Sequence, residues 1–167
     1  MHILGVDPGS RTTGYGLIEV QGQRLVHLAS GCIHTQGQDF PERLRIIFEG
    51  LTAIIDSHHP GELAIERVFM HRNADSALKL GQARGVAMLA GVVRGLQVFE
   101  YSPNEIKKAT VGRGHAAKAQ VQHMIRVLLN LPEIPEENSA DALAVAICHS
   151  NTRDGLARYS QVAGQAR

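Results

Sequence analysis

The sequence predicts a single α/β domain in which a mixed sheet carries helices on its faces. Three apolar runs near the start are separated by short turns, as in antiparallel strands. Further along, segments with apolar residues at helical spacing alternate with two short apolar runs, as in parallel strands joined by helices. The 167 residues, 44% of them apolar, suffice for one hydrophobic core.

The predicted strands, in chain order, cover residues 2–7, 13–20, 24–34, 63–66 and 97–101. The first ends at Asp7, where Pro8 and Gly9 begin a turn. A tight turn at residues 21–23 joins the second strand to the third. The first three strands therefore form antiparallel pairs, and the last two are expected to be parallel to the first.

The predicted helices cover residues 39–58, 73–94, 103–111, 117–129 and 138–149. Asp39 with Glu42, and Ser102 with Glu105, have the spacing of capping boxes. The second helix carries a stripe of small residues, and we expect this face to pack on the sheet or on a second subunit: Ala77, Leu80, Ala83, Ala87 and Ala90. Residues 1–150 are predicted to form the domain, and residues 151–167 a polar, disordered tail.

Composition narrows the class of protein. No apolar run has membrane-spanning length and no secretory leader pattern opens the chain, so we expect a cytoplasmic protein. Cys32 and Cys148 form no close pair and are expected to be reduced core residues.

The net charge is only +1, but the charges are unevenly distributed. Residues 67–126 contain ten basic and three acidic side chains, whereas the segments before and after are net acidic. Such a basic region is typical of a surface that binds a polyanion such as nucleic acid. A solvated helix face is the alternative explanation.

Acidic residues end two of the predicted strands and border the last helix. Asp7 follows the first strand and Glu66 the fourth, while Asp141 lies in the first turns of the last helix, with Asn138 three residues before it. Asp7 alone would fit a residue that hydrogen-bonds turn amides. Together, these oxygen donors predict a Mg²⁺ or Mn²⁺ site, and beside a basic region they indicate metal-assisted phosphodiester hydrolysis.

Other sites fit less well. Gly9 and Gly14 have the spacing of a phosphate-binding loop, but Tyr15 stands where that loop requires lysine. The nine histidines show no zinc-ligand spacing.

Three stretches, VDPGSRTTGYG, AIERVFMHRNADSALKLGQARGVA and ADALAVAICH, resemble the RuvC family of Holliday-junction resolvases, and the likeness covers residues 2–149. The resemblance implies a ribonuclease H-like fold, a homodimer and two Mg²⁺ ions per active site, with Mn²⁺ as a substitute. It implies symmetric cutting of two strands in a four-way DNA junction. It also implies contact with a branch-migration complex of the RuvA and RuvB type.

Matched by position, the resemblance makes Asp7, Glu66 and Asp141 the metal-binding catalytic acids and Lys107 and Lys118 essential lysines. Phe69 matches a phenylalanine that acts as a wedge at the crossover, although by position alone it also fits a core residue. Where the family has Asp or His, this chain has Asn138. The candidate DNA-binding residues are Phe69, Arg72, Lys79, Lys107, Lys108, Arg113, Lys118, Thr12 and Thr13. A solvated side chain is the alternative for Arg72, Lys79, Lys108 and Arg113, and a turn-forming role is the alternative for the two threonines.

Two rival functions remain open at this stage. Sugar kinases and actin-like ATPases also begin with a glycine-rich hairpin after an acid, but their paired domains need a longer chain. A protein that binds junctions with impaired cleavage is the second rival, and Asn138 is the residue that suggests it.

Overall fold

The fold is described from a computed structural model. It describes residues 1–67, 73–112, 114 and 116–165, and for residues 154–165 the backbone alone. The strands are β1 (His2–Asp7), β2 (Thr12–Gln21), β3 (Arg24–His34), β4 (Glu62–Glu66) and β5 (Gln97–Tyr101). The helices are α1 (Phe40–His58), α2 (Ala74–Val92), α3 (Pro103–Val111), α4 (Lys118–Leu128) and α5 (Glu137–Gln165).

The five strands form one mixed sheet in the order β3-β2-β1-β4-β5. β2 pairs antiparallel with β1 and β3, whereas β1–β4 and β4–β5 are parallel pairs. The predicted fold class is confirmed, and the first and fourth strands are neighbours in the sheet. Because β1 and β4 are parallel neighbours, their carboxyl ends lie at the same edge of the sheet, and Asp7 and Glu66 end them.

Each face of the sheet is covered by helices. On one face α1 and α2 pack through a core that includes Leu4, Leu17 and Ile47. On the other face α5, with α3 and α4, packs through a core that includes Ile18 and Leu143. Alternate residues of each strand supply the two cores, as the period of a strand requires.

Local sequence explains where most helices begin. Ser102 and Glu105 form a complete capping box at the start of α3, as predicted. At α1, the Asp39 side chain accepts a hydrogen bond from the Glu42 amide, but the Glu42 carboxylate pairs with Arg45 instead of closing the box. That predicted capping box is therefore only half formed, because a neighbouring guanidinium competes for the carboxylate.

The alanine face of α2 packs into the core with the sheet and α1. Ala83, Ala87 and Ala90 are completely buried there. Of the two partners that the sequence allowed for this face, the structure therefore selects the sheet. The opposite face of α2 remains exposed.

The last helix is longer than predicted. α5 continues past His149 to Gln165, and no proline interrupts its polar second half. The prediction of residues 151–167 as a separate tail, and of 1–150 as the nuclease domain, stays a prediction.

Two compositional predictions have outcomes in the structure. Both cysteines are free; Cys148 is buried and Cys32 is partly exposed, and burial raises the pKa of each thiol to about 11. No helix within the described residues has the length and apolarity to cross a membrane.

Candidate active site

The predicted acids and lysines meet at one edge of the sheet. They line a cavity of about 310 Å³ whose polar lining residues are Asp7, Glu66, Lys107, Lys118, Asn138 and Asp141. Ile106 and Val121 are among its apolar lining residues. Elements far apart in sequence thus converge at the carboxyl ends of two parallel strands, where such sheets bind ligands.

Glycines allow α5 to lie directly on the sheet. A Cβ atom at Gly14 of β2 would come within 2.0 Å of the Asn138 carbonyl oxygen, and one at Gly5 of β1 within 2.1 Å of the Ala142 carbonyl oxygen. Any side chain at these positions would hold the helix away. The bare backbone therefore brings the first turns of α5, with Asn138 and Asp141, next to Asp7.

Asp7 and Glu66 are close enough to share a hydrogen bond. Burial raises the pKa of both carboxyl groups, and the charges of Glu66 and Asp141 raise the pKa of Asp7 further. Two carboxylates in contact cannot both ionise at little cost. Below the raised pKa of Asp7, about 8, this carboxyl group is protonated and can donate to Glu66.

Asp141 and the two lysines complete the charge balance of the cavity. Burial raises the pKa of Asp141, while the positive charges of Lys118 and Lys107 oppose that rise. Lys118 also pairs with Glu137 in the first turn of α5, and this hydrogen bond raises the pKa of the lysine. Acidic side chains and lysine ammonium groups thus surround the same cavity.

The donor set suits a hard divalent cation. Three carboxylates and one amide offer only oxygen ligands, which Mg²⁺ and Mn²⁺ prefer over the nitrogen and sulfur donors typical of zinc. As the side chains lie, no three acid, histidine or cysteine groups in the described part of the chain are close enough to hold a metal ion. A cation at this site would therefore require the acid side chains to move closer together.

The remaining predicted residues lie in different surroundings. Thr13 is completely buried and its hydroxyl donates to the Gly9 carbonyl at 2.8 Å, so it completes the turn after Asp7. Thr12 is partly exposed, 3.5 Å from His34 Nδ1. Lys79 pairs with Asp75 on α2 at 2.7 Å, and Lys108 is exposed on α3. Phe69, Arg72 and Arg113 lie outside the described residues.

Two arginines that the sequence analysis did not single out line a second cavity, of about 320 Å³, at the same edge of the sheet. Arg11 follows the turn after Asp7, and Arg43 lies in the first turn of α1. Neither guanidinium forms an ion pair with a carboxylate of the described residues, whereas Arg45 on the same helix pairs with Glu42 and Glu49. The sequence did not predict this pair, because the two arginines are 32 residues apart and come together only where the loop after β1 approaches the start of α1.

A larger cavity, of about 800 Å³, lies at the opposite edge of the sheet, between the β2–β3 turn, the end of α4 and the middle of α5. Arg24 and His27 are its only ionisable lining residues, and it contains no carboxylate. Size therefore does not identify the chemical site here. The smaller cavity does, because it alone gathers acids and lysines among the cavities described.

Comparison with known proteins identifies similar sequences. The profile of a family described as Crossover junction endodeoxyribonuclease RuvC matches residues 3–149. A protein of Shewanella baltica named Crossover junction endodeoxyribonuclease RuvC is 58% identical over 158 residues, which cover 95% of this chain and 91% of that protein.

Similar structures agree with the sequence comparison. The structure of Thermus thermophilus RuvC has a TM-score of 0.83 and 33% identity, covering 93% of this chain and 97% of that one. T. thermophilus RuvC in complex with a Holliday junction substrate has a TM-score of 0.87 and 33% identity, covering 93% and 96% of the two chains. The yeast mitochondrial Holliday junction resolvase Ydc2 has a TM-score of 0.72 at 12% identity, a likeness of fold alone.

Proposed function

Because the chain belongs to the RuvC family of crossover junction endodeoxyribonucleases, we propose a role for each residue of its active site in the reaction of that family. The protein is a metal-dependent endonuclease that resolves four-way DNA junctions in recombination and repair. The observation that carries the assignment of roles is the cavity in which the acids from β1, β4 and α5 meet two lysines.

Asp7, Glu66 and Asp141, with the Asn138 amide oxygen, are the proposed ligands for two Mg²⁺ ions. Bound cations of this kind lower the pKa of a water and stabilise the leaving oxygen of an in-line phosphodiester displacement. Asp7 must give up the proton that it shares with Glu66 before both carboxylates can serve as ligands. Metal binding should therefore release a proton.

Lys107 and Lys118 are proposed to act on the scissile phosphate. Both line the acid-bearing cavity, so an ammonium group from either residue can approach a phosphoryl oxygen placed there. A fixed positive charge that meets the negative charge developing in the transition state lowers the barrier. The Lys118–Glu137 pair also ties this charge to the helix that carries Asp141.

The DNA path is proposed to extend from the cavity along the edge of the sheet. Thr12 and Lys108 are exposed or partly exposed near the site. Phe69 is proposed as the base-stacking wedge, with Arg72, Lys79 and Arg113 as further phosphate contacts. Thr13 is left out of the proposed surface because its hydroxyl completes a buried turn.

Asn138 is proposed to weaken the site without disabling it. A neutral amide oxygen can ligate a cation but adds no negative charge, so the affinity for one ion should be lower than with aspartate. The alternative of a junction-binding form with impaired cleavage has no support from the relatives, which are named for endonuclease activity.

A homodimer is proposed to form through the exposed face of α2. Leu78 and Leu89 are 69% and 50% exposed, and a Cβ at Gly81 or Gly85 between them would meet nothing within 4 Å. Leucine side chains flanking bare glycines at helical spacing suit close packing against an identical helix. Cutting two symmetric strands requires two sites related by a two-fold axis, which such a dimer supplies.

Two further expectations rest on the family alone. We expect the dimer to bind a branch-migration complex of the RuvA and RuvB type, and we expect it to act in the cytoplasm. Co-elution of the purified components on a four-way junction would test the first expectation.

The deciding experiment incubates the protein with an end-labelled synthetic four-way junction in Mg²⁺, with a linear duplex of the same sequence as the control. We expect paired symmetric nicks in the junction alone, lost in Ca²⁺ and in the Asp7→Asn variant. Asn138→Asp should lower the Mg²⁺ concentration needed for half-maximal cutting. Nicks that persist in Asp7→Asn would refute the proposed ligand set, and an unchanged metal requirement in Asn138→Asp would refute the role of Asn138.

A further inference from the structure

A buried polar network lies on the side of α5 that faces the sheet, well away from the acids. His149 is completely buried, and both of its ring nitrogens are hydrogen-bonded. Nε2 lies 2.7 Å from a Glu62 carboxylate oxygen and Nδ1 lies 2.7 Å from the Tyr101 hydroxyl. Because a carboxylate only accepts, Nε2 donates to Glu62, and in the neutral ring Nδ1 accepts from Tyr101.

The network joins the same two elements that carry two of the catalytic acids. Glu62 begins β4 and Glu66 ends it, four residues or about 13 Å further on, on the same face of the strand. On α5, Asp141 precedes His149 by eight residues, a rise of about 12 Å. The two spans match, and the elements run in opposite directions, so Glu66 faces Asp141 when Glu62 holds His149.

α5 meets Glu62 through a second residue as well, Arg153, but this guanidinium lies 3.4 Å from Glu62 Oε1 on a side chain that is 44% exposed, so α5 depends less on it than on the buried His149. The contacts of α5 with β1 and β2 include the glycine positions 5, 14 and 16, where helix backbone or a leucine side chain lies directly on the strand. At these glycine positions the strands offer α5 no side-chain ridges between which it can lock. A slip of one residue would move Asp141 by about 1.5 Å, far more than the few tenths of an ångström that metal ligation tolerates.

We propose that His149 is a positioning residue which, by its hydrogen bond to Glu62, fixes α5 along β4 and thereby sets the separation of Asp141 from Glu66 that metal binding requires. This inference rests on the proposed metal-binding role of the two acids. His149 touches neither substrate nor metal. Its effect reaches the site through the helix alone.

The test measures Mn²⁺ binding to the purified protein by the electron paramagnetic resonance of free Mn²⁺, without DNA. His149→Phe keeps a ring of similar size but breaks both hydrogen bonds, and Glu62→Gln keeps an acceptor for Nε2. Ile147→Ala is the matched control, because Ile147 is equally buried in the same helix but belongs to the apolar core. Melting curves with EDTA verify that each variant is folded at the temperature of the binding measurement.

We expect His149→Phe to weaken Mn²⁺ binding about tenfold, the effect typical of residues that orient metal ligands. In junction cutting, the half-saturating Mn²⁺ concentration should rise by the same factor, while the rate at saturating Mn²⁺ changes much less. Glu62→Gln should bind Mn²⁺ nearly as the parent does. Ile147→Ala should lose thermal stability but keep its Mn²⁺ affinity.

Unchanged Mn²⁺ binding in His149→Phe would overturn the positioning role, and so would an equal loss in Ile147→Ala. If His149→Phe does not fold, Glu62→Leu breaks the same bond from the strand side and is judged by the same criteria, with Arg153→Gln as the control for the ion pair that Glu62→Leu also removes. A parent protein that binds no Mn²⁺ and cuts no junction would overturn the proposed function together with this inference. A parent that does both, with variants that match it, overturns the inference alone.

Discussion

Asp7 lies where three acidic side chains compete for one small space. Its carboxyl group is buried and shares a hydrogen bond with Glu66, and the charge of Asp141 adds to the repulsion. Such a carboxyl group is useful for metal binding but destabilises the fold, because a buried negative charge costs free energy unless a positive charge or a proton neutralises it. Repulsion among these carboxyl groups therefore lowers the stability of the metal-free protein, and a bound cation would relieve it.

We predict that Asp7→Asn abolishes junction cutting but raises the melting temperature of the metal-free protein at pH 8 by about 2–4 °C, the shift that roughly 1 kcal/mol gives in a domain of this size. The raised pKa of Asp7 means that the native state keeps a proton above pH 3.8, where the unfolded state loses it. The contribution of Asp7 to stability is therefore greatest below pH 3.8 and declines as the pH rises towards its native pKa of about 8. Melting curves at pH 5 and pH 8 with EDTA measure both effects.

Asp7→Asn should show a smaller decline between the two pH values than the parent. A variant that is less stable than the parent at both pH values would contradict the cost assigned to the crowded carboxyls.

Arg11 and Arg43 allow a second prediction for single residues. Their guanidinium groups line one cavity at the active edge and have no carboxylate partner among the described residues. If they bind phosphates of a junction arm, replacing each with glutamine should flatten the plot of log affinity against log salt by about 0.9 for each phosphate interaction removed. The slope is measured by filter binding of a four-way junction over a range of NaCl concentrations. Ca²⁺ replaces Mg²⁺ in this assay to prevent cutting.

Arg45→Gln is the control, since Arg45 lies on the same helix but is already paired with Glu42 and Glu49. If the slopes of log affinity against log salt are equal for Arg43→Gln and Arg45→Gln, the second cavity does not bind the phosphates of the junction.

At this scale the sequence predicts the acids better than the arginines. Asp7 and Glu66 stand at the ends of apolar runs, and the order of strands alone brings such positions together. Arg11 and Arg43 belong to two unrelated turns, so their meeting depends on the path of both loops. Nor does the sequence show the proton shared by Asp7 and Glu66, which depends on the distance between two side chains.

Among the elements, α5 links the fold to the chemistry. It carries Asn138 and Asp141 in its first turns and lies against bare backbone at Gly5 and Gly14. The contact places helix backbone, rather than side chains, on the sheet. Rearranged rotamers cannot compensate for an added atom there.

We predict that Gly5→Ala destabilises the protein by more than about 2 kcal/mol and abolishes cutting, because its Cβ would come within 2.1 Å of a backbone oxygen of α5. Gly81→Ala, in the exposed face of α2, should instead raise the stability of the protomer by about 0.5–1 kcal/mol, as expected for glycine within a helix. Urea unfolding at protein concentrations that favour the protomer compares the two. A tolerated Gly5→Ala would show that α5 can shift, against the close approach of helix and strand at this position.

Sequence signals predict every helix start to within one residue, but they miss the end of α5. The cap at Ser102 is a local hydrogen-bonding pattern that four residues specify. The end of α5 is missed because the polar residues after Asn151 lack both an apolar stripe and a proline, so the sequence neither requires nor forbids a helix. The buried role of the α2 alanines also depends on tertiary packing that spacing alone leaves open.

For the whole molecule, two symmetric cuts imply two copies. The exposed face of α2, with Leu78, Leu89 and the glycines between them, is the proposed contact. It is distinct from the acidic cavity, so a protomer separated from its partner should keep its metal site.

We predict that Leu89→Glu converts the dimer to a protomer and abolishes paired cutting, since it places a charge in the apolar centre of the interface. Sedimentation velocity gives the oligomeric state, and Mn²⁺ binding for each protomer should stay unchanged. Leu128→Glu is the control, because Leu128 is 41% exposed on α4 and lies at the opposite edge of the sheet. A Leu89→Glu variant that sediments as a dimer would exclude this face.

The glycines beneath α5, Gly5 and Gly14, also affect how a map of mutational tolerance would be interpreted. In a library selected for survival under DNA damage, positions 5 and 14 should be as intolerant as position 7, although glycine has no group that could bind metal or phosphate. A map of tolerance alone would count these positions as part of the active site. Selection at these two positions would detect a steric requirement, because α5, which carries two of the proposed metal ligands, can approach the strands only where they carry no side chain.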